Sequence, residues 1–208
     1  MSDNKSMVTR KINYRLYPNK QALSQLHWGR RMHCCLYNAA IANRKTQYQK
    51  FGHSVNYFEQ QNCLPEFKQV WTEYKKLGSH SLQATLKRVD FAFTRFFKKL
   101  GKYPKFKSSR HDRGWTYPCK SGWKINTNNG VNGYLELRDL GVVVQIRGKP
   151  RTWGIPKTCT IVWDRQHWIA SITVECAPKR KTGTGAVGLD FGSIVAIATS
   201  EGELTLVT

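Results

Sequence analysis

A single carboxylate near the end of the 208-residue chain could take part in metal-dependent chemistry. Asp190 closes the apolar run of "AVGLDFG", lies between Gly188 and Gly192, and precedes a second apolar run. An aspartate at the end of a buried strand presents hard oxygen ligands, which suit Mg²⁺. Two-metal phosphodiester hydrolysis needs several such ligands, so Asp190 alone is insufficient. A turn aspartate that accepts hydrogen bonds from nearby amides explains the same pattern, and both interpretations stand at this point.

A basic and aromatic stretch suggests a different chemistry, the binding of a polyanion. Between Arg95 and Lys124 the chain has ten Lys and Arg residues and a single acid, Asp112. Aromatic residues are interleaved with them, among them Tyr103, Phe106, Trp115, Tyr117 and Trp123. Aromatic rings stack on unpaired bases while cations follow the phosphates, so the stretch predicts contact with nucleic acid. A solvated basic loop is the alternative.

The charge of the whole chain favours the same class of partner. The chain has 34 Lys and Arg against 13 Asp and Glu, a formal net charge of +21. Such a field attracts DNA or RNA through counterion release. An anionic membrane surface is the rival partner, but no apolar run of about 20 residues is present, so we predict no membrane association. The N-terminal stretch "MSDNKSMVTRKINYRLYPNK" lacks the apolar core of a signal peptide, which favours a cytoplasmic protein.

Other reactive side chains show no spacing typical of a catalytic or metal site. The six cysteines contain no C-x-x-C pair, so we predict reduced thiols and no zinc site. The six histidines contain no H-E-x-x-H pattern. Gly183, Gly185 and Gly188 match G-x-G-x-x-G, but a strand-like run follows where a dinucleotide site needs a helix.

The elements that must position these residues follow from hydrophobic periodicity. Alternation predicts a strand over 7–17, with Val8, Ile12, Tyr14 and Leu16 on one face. Apolar residues at spacings of three and four predict helices at 20–50, which Gly29 divides in two, and at 81–100, which Gly101 ends. Short runs between turn residues predict strands across 116–176. The fold class is therefore α+β, with a small antiparallel β-barrel and a helical insert over about 19–100.

A boundary is expected after this barrel. The segment "APKRKTGTG", residues 177–185, is short, basic and glycine-bearing, which is typical of a linker. Residues 186–208 then predict consecutive strands joined by turns at Gly192 and Gly202.

Several segments together resemble the TnpB (OrfB) family of transposon-encoded RNA-guided nucleases, relatives of type V CRISPR effectors. The similar segments are, in order, "VTRKINYRLYPNK" with "LSQLHWGRRMHCCLYNAAIANRKTQYQK", "SLQATLKRVDFAFTRFFKKL" with "KYPKFKSSR", "CTIVWDRQHWIASITVE", and "AVGLDFGSIVAIATSEG". Each segment is moderately specific, whereas their order along nearly the whole chain is a strong indication.

The resemblance implies a wedge-like β-barrel at 7–176 interrupted by a helical recognition region, followed by the start of a RuvC-like nuclease domain. It implies guide RNA and target DNA as partners, and Mg²⁺ at a complete site in which Asp190 takes the first metal-binding position. In such effectors base pairing reads the sequence, and the protein reads a short flanking motif and duplex shape.

The chain also departs from the family pattern. The later catalytic glutamate, the final aspartate and the C-x-x-C zinc element of the family have no counterpart here. Glu201 and Glu203 do not match the second catalytic position and are expected to be solvated turn residues. We therefore expect the N-terminal portion of a TnpB-like protein, truncated after the start of its nuclease domain, which binds nucleic acid without cleaving it alone.

Three alternatives remain open. A second polypeptide could supply the missing carboxylates and zinc element, making a split nuclease. The chain could instead be a binding-only RNA-guided regulator, or a fragment whose RuvC-like strands expose aggregation-prone edges. The residues predicted to contact nucleic acid are Arg30, Arg31, Arg44, Lys98, Lys99, Lys102, Tyr103, Lys105, Phe106, Lys107, Arg110, Arg113, Lys120, Trp123 and Lys124.

Overall fold

The computed structural model describes residues 7–178, 189–190, 195–199 and 204–206. The chain divides into two compact units, Met1–Ala177 and Pro178–Thr208. The first unit contains helices and a large sheet, and the second contains three short strands. The start of the linker predicted at 177–185 coincides with this division, and residues 179–185 lie outside the described part.

Seven strands form one antiparallel sheet in the first unit. They are β1 (Val8–Tyr17), β2 (Gly114–Tyr117), β3 (Trp123–Asn128), β4 (Val131–Leu137), β5 (Val142–Arg147), β6 (Ile155–Asp164) and β7 (His167–Cys176). Their order in the sheet is β2-β6-β7-β1-β5-β4-β3. The α+β class and the strands predicted at 7–17 and across 116–176 are therefore confirmed.

The sheet curls into a half-barrel, so the prediction of a small antiparallel β-barrel is correct only in part. Its edge strands β2 and β3 are adjacent in sequence but do not pair with each other. Helices cover the concave inner face, where a pairing of β2 with β3 would have closed the barrel. The long helix that follows β1 contacts both β2 and β5.

The inner face of the sheet supplies most of the core, as strand alternation requires. Leu16 on β1 lies opposite Ile146 on β5, and Val144 lies opposite Leu135 on β4. All four side chains are buried. The largest fully buried side chains include Trp115, Trp123, Trp168, Tyr14 and Tyr117. These rings bury large apolar areas against the helices.

Four helices lie between β1 and β2 in the chain. They are α1 (Lys20–Phe51), α2 (Tyr57–Asn62), α3 (Leu64–Val70) and α4 (Ser79–Phe97). The Asn19 side chain accepts a hydrogen bond from the Ala22 amide and starts α1, and Gly52 ends α1 at φ 64°. No helix among the described residues combines the length and apolarity needed to cross a bilayer.

The predicted division of the first helix at Gly29 is wrong, because α1 runs unbroken through it. A Cβ atom at Gly29 would lie 3.3 Å from Leu140 and 3.4 Å from Trp115. The glycine therefore permits close packing of the helix on the sheet, which offsets its cost of about 1 kcal/mol in helix propensity.

The end of α4 also differs from the prediction that placed it at Gly101. The helix ends at Phe97, Lys98 is the cap, and Lys99 takes a left-handed conformation at φ 58°. The Leu100 amide donates to the Arg95 carbonyl at 2.8 Å, which closes the last turn. The predicted apolar stripe is buried from Leu82 to Phe93.

The second unit contains a three-stranded antiparallel sheet. The strands β8 (Leu189–Asp190), β9 (Val195–Thr199) and β10 (Leu204–Leu206) lie in the order β10-β9-β8. Consecutive strands at 186–208 are therefore confirmed, while the predicted turns at Gly192 and Gly202 lie outside the described residues.

Candidate nucleic-acid interface

The connection from α4 to β2, residues 98–113, is here called the basic segment. It has no regular secondary structure over most of its length, yet specific contacts hold it on the helices. The Asn38 side chain on α1 donates to the Lys107 carbonyl at 2.8 Å and accepts from the Lys107 amide at 2.9 Å. This two-point clamp fixes the middle of the basic segment against α1.

A buried carboxylate holds the end of the basic segment. Asp112 is 2% exposed, and its Oδ1 lies 2.6 Å from Nη2 of Arg88 on α4 and 3.6 Å from Nζ of Lys107. Arg88 also donates to the Gly114 carbonyl at 2.5 Å. Asp112, the one acid of the basic stretch, therefore pairs with Arg88 and Lys107. It does not neutralise the cations of the segment that point outward.

Lys107 has a structural role that differs from the prediction of a nucleic-acid contact. Its ammonium lies 4.2 Å from the centre of the Tyr37 ring and 3.6 Å from Asp112. Burial is the main cause that lowers the pKa of Lys107, and the Arg88 charge adds to it. Lys107 thus anchors the segment.

The remaining cations of the basic segment point outward. The exposed ones are Lys98, Lys99, Lys102, Lys105, Arg110 and Arg113. Among the described acids, only Asp164 approaches one of them, at 3.6 Å from Arg113. An exposed ion pair of that length contributes little, so the positive charge of this surface is largely uncompensated.

Aromatic side chains surround the start of the basic segment. The Tyr103 ring packs edge-on against Phe93 and Phe96, with centroids 5.6 and 5.2 Å apart. Phe97 and Phe106 are 69% and 59% exposed. A groove of about 520 Å³ lies here, lined by Lys45, Tyr48, Gln49, Val55, Phe93, Phe96, Phe97 and Tyr103. We call it the aromatic groove.

Arg44 lies at the base of the aromatic groove, but the structure contradicts its predicted contact with phosphate. It is 8% exposed, donates to Gln60 and to Asp90 at 2.9 Å each, and lies over the Phe93 ring. A buried guanidinium with these partners joins α1 to α2 and α4. The helical pattern could not reveal this, since the partners are 16 and 46 residues away.

A second groove, of about 540 Å³, follows the first half of α1. Its lining includes Lys20, Ser24, His27, Arg30, Arg31 and, from the basic segment, Ser109. Burial, followed by the Arg30 charge, lowers the pKa of His27, so the positive charge of this groove comes from lysine and arginine. We call it the α1 groove.

Arg30 is held in an unusual position within the α1 groove. Its guanidinium lies 5.7 and 5.8 Å from the ring centres of Trp163 and Trp168. Its Nε and Nη1 atoms are shielded from solvent and have no hydrogen-bond partner in the described part of the chain. Arg31 is exposed. The pair therefore places one oriented and one exposed cation at the α1 groove.

The three predicted stacking rings from the β region are core residues. Trp115, Tyr117 and Trp123 are each at most 2% exposed, so they cannot stack on a base. The predicted contact of Trp123 with nucleic acid is thus wrong, because strand alternation turns this ring inward. Lys120 and Lys124 are exposed, the first in a turn between β2 and β3 and the second on β3.

The predicted catalytic residue is located only by its backbone. Asp190 ends β8 and pairs with Ala198 on β9, while its side chain lies outside the described part. Its ability to hold Mg²⁺ therefore stays a prediction. Among the described residues, no group of three or more His, Cys, Asp and Glu side chains could hold a metal ion.

The anchoring residues were missed by sequence reasoning. Asn38, Arg88 and Asp112 carry no local motif, since their partners lie up to 69 residues away. The available indication was Asp112 itself, a lone acid within a strongly basic stretch.

Comparison with known proteins gives two curated relatives of one kind. No family model matches the chain. A protein of Streptomyces pristinaespiralis named "Putative RNA-guided DNA endonuclease" is 31% identical over 205 residues, which cover 94% of this chain and 49% of the relative. "Putative RNA-guided DNA endonuclease InsQ" of Escherichia coli (strain K12) is 26% identical over 173 residues, 81% of this chain and 42% of the relative.

The chain spans about half the length of these curated relatives. The similarity covers nearly all of the chain, including the basic segment and both grooves. On this evidence from named relatives, together with the ordered segments in its sequence, the chain belongs to the TnpB family.

Proposed function

We propose that the first unit binds guide RNA and target DNA as the nucleic-acid-binding part of an RNA-guided DNA endonuclease. One observation carries the proposal: the anchored basic segment runs from the aromatic groove, at Tyr103, to the α1 groove, at Ser109. A nucleic-acid strand that follows the basic segment would contact exposed cations along its whole length and exposed aromatic rings at one end. The names of the relatives supply guide RNA and DNA as the polyanions.

The helices between β1 and β2 then act as the recognition region, and the half-barrel acts as its support. Arg30 favours this role, because its guanidinium is oriented by two tryptophan rings and its side chain lines the α1 groove. Lys120 and Lys124 would extend the positive surface to the edge of the sheet.

The second unit is proposed to begin a RuvC-like nuclease domain, with Asp190 as a ligand of Mg²⁺. When bound, the ion would stabilise charge on the phosphodiester oxygens. Asp190 would supply one carboxylate, and hydrolysis requires others. We therefore propose that the 208-residue chain binds nucleic acid and does not cleave DNA by itself.

Salt dependence of binding tests the role of the basic segment. The probe is a labelled oligouridine of about 16 nucleotides, and the affinity is measured by anisotropy over a range of KCl concentrations. Replacing Lys102 and Lys105 by Gln should weaken binding and reduce the slope of log K against log salt by about 1.4, because each phosphate contact contributes about 0.7.

The matched control replaces Lys75 and Lys76 by Gln. Both are exposed lysines in a short 3₁₀ turn, Thr72–Lys76, and the replacement removes the same charge. An equal loss of affinity in the two double variants would show that net charge alone attracts RNA, and would overturn the proposed interface.

A cleavage assay separates the proposed binding role from the split nuclease. The chain is incubated with its co-purifying RNA, target plasmid and MgCl₂, with and without a second polypeptide encoded beside it. We expect no cleavage by the chain alone. Cleavage that requires both polypeptides and is lost in Asp190→Ala would establish the split enzyme, and guide-dependent DNA binding without cleavage would support a binding-only regulator.

A further inference from the structure

The outer face of the sheet carries a row in which tyrosine and amide side chains alternate. Tyr17 on β1 lies opposite Gln145 on β5, which lies opposite Tyr134 on β4, which lies opposite Asn126 on β3. Directly opposed residues share a face, so these four side chains form one row across the sheet. All four are exposed.

The Tyr134 ring is free for a ligand. It is 55% exposed and makes no ring-to-ring or cation contact with any described residue. Gly133 positions it, because a Cβ atom there would lie 2.0 Å from the Asn126 carbonyl oxygen and the residue has φ 136°. The close approach of β4 to β3 thus requires this glycine immediately before the tyrosine.

Two arginines hold the other end of the row. The guanidinium groups of Arg15 and Arg147 lie 5.4 and 4.7 Å from the centre of the Tyr17 ring. Arg15 lies directly opposite Arg147 in the sheet, and it donates to Nδ1 of His167 at 3.1 Å. Neither arginine has an acidic partner among the described residues, although two like charges side by side repel each other.

An unpaired strand of nucleic acid matches this arrangement. Tyr17 and Tyr134 are two strands apart, about 10 Å, with an amide side chain between them. A ring stacks on a base, a guanidinium pairs with phosphate or stacks on a further base, and an amide bonds a base edge or a 2′-hydroxyl. Lys124 lies on the same face, and the acid nearby, Glu136, is opposite Lys124 and 3.8 Å from Arg138.

We propose that this outer face is a stacking platform for unpaired RNA, with Tyr134 as the base-stacking residue and Arg15 and Arg147 as phosphate contacts. The inference rests on the proposed function for the presence of an RNA partner. It adds a second surface, on β1, β5, β4 and β3, that the basic segment and its grooves do not include. RNA is favoured over DNA because Gln145 and Asn126 offer partners for 2′-hydroxyl groups beside the rings.

The test uses the full chain and an unstructured RNA of about 12 nucleotides containing one 2-aminopurine. Stacking of this base on a ring quenches its fluorescence. Tyr134→Ala should abolish the quenching and weaken RNA binding by about tenfold, the lower part of the range for loss of one stacked base. Tyr134→Phe should retain both the quenching and the RNA affinity, since the aromatic ring is kept. Arg147→Gln should weaken binding and lower its salt slope.

Phe58→Ala is the matched control, because Phe58 is an exposed ring, 69% accessible, on α2 and outside every proposed surface. Unchanged quenching in Tyr134→Ala, or an equal loss in Phe58→Ala, would overturn the platform. Equal affinity of the unsubstituted chain for single-stranded DNA and RNA of the same base sequence would overturn the choice of RNA.

The two sets of variants distinguish a failure of the stacking platform from a failure of the proposed function. Loss of binding in the Lys102 and Lys105 double variant with none in Tyr134→Ala would leave the basic segment as the interface and overturn the platform. Loss in Tyr134→Ala alone would support the platform and overturn the proposed role of the basic segment.

Discussion

The layer between helices and sheet and the outer face of the sheet contain the same kinds of residue in opposite circumstances. In the inner layer, the cations Arg44, Arg88 and Lys107 all have acidic partners, and the indoles are closed off from solvent. On the outer face, Arg15 and Arg147 have none among the described residues, and tyrosines replace tryptophans. The inner cations lie on α1, α4 and the basic segment, whereas Arg15 and Arg147 lie on β1 and β5.

This difference shows that partners, more than residue types, decide what an arginine or an aromatic ring does here. A buried cation with a satisfied carboxylate stabilises the fold and has little left to offer a ligand. An exposed cation without an acid, beside an open ring, costs the fold little and remains available to a polyanion.

The largest expected effect separates two aromatic residues on neighbouring strands. Trp123→Ala should lower the free energy of unfolding by about 4 kcal/mol, because it empties a fully buried site. Tyr134→Ala should change it by about 0.5 kcal/mol, as at other exposed positions. Urea denaturation followed by circular dichroism measures both. Similar losses in the two variants would contradict the division into inner and outer faces.

The next effect concerns the anchor of the basic segment. Asp112→Ala should destabilise the chain by about 3 kcal/mol, because Arg88 and Lys107 lose a buried partner. Asp164→Ala is the control, since its pair with Arg113 is exposed and should contribute less than about 1 kcal/mol. Limited proteolysis should also cut the basic segment faster in Asp112→Ala. Unchanged stability and cleavage would show that the segment is held by other contacts.

A comparison of two arginines on α1 should give a smaller effect. Arg44→Ala should cost about 2 kcal/mol of stability, since it removes charged hydrogen bonds to Gln60 and Asp90. Arg31→Ala should leave the thermal midpoint unchanged and weaken binding of oligouridine. Calorimetry measures the stability of both variants, and anisotropy measures their binding of oligouridine. Weaker binding with unchanged stability in Arg44→Ala would show that Arg44 contacts nucleic acid after all.

The smallest expected change, taken over one pH unit, is a pH dependence from the inner layer. His33 stacks on Trp115 at 5.4 Å, bonds Thr85 through Nδ1, and burial with the Arg88 charge lowers its pKa to about 3. The unfolded chain binds this proton below about pH 6.5, whereas the folded chain does not. Stability should therefore fall as pH decreases from 6.5 toward 3, by on the order of 1 kcal/mol per pH unit.

His33→Gln tests the origin of this pH dependence, because glutamine can bond Thr85 without titrating. The slope of unfolding free energy between pH 6 and about pH 4 should be smaller in the variant, measured by urea titrations at each pH. An equal slope in both proteins would assign the dependence to other groups.

Much of the architecture was predictable, because alternation and helical periodicity are local. The strand β5, Val142–Arg147, lies in the region 116–176 that was predicted to form strands, and the apolar stripe of α4 is buried as expected up to Phe93. The errors at Gly29, Arg44 and Trp123 have one cause. Each role depends on contacts with residues far away in sequence, which periodicity does not encode.

The sequence by itself determined the α+β class, the strongly basic charge, the family and the position of Asp190 on a short strand. Only the tertiary structure decided which cations and rings face outward. Packing of α1 and α4 against β2 accompanies the burial of Trp115, and Trp123 faces the core. Contacts with α2 and α4 bury Arg44, and the buried acid Asp112 holds the basic segment. The physical reason is that burial and pairing are properties of the assembled core, so identical residue types become structural on one side of a strand and available for binding on the other.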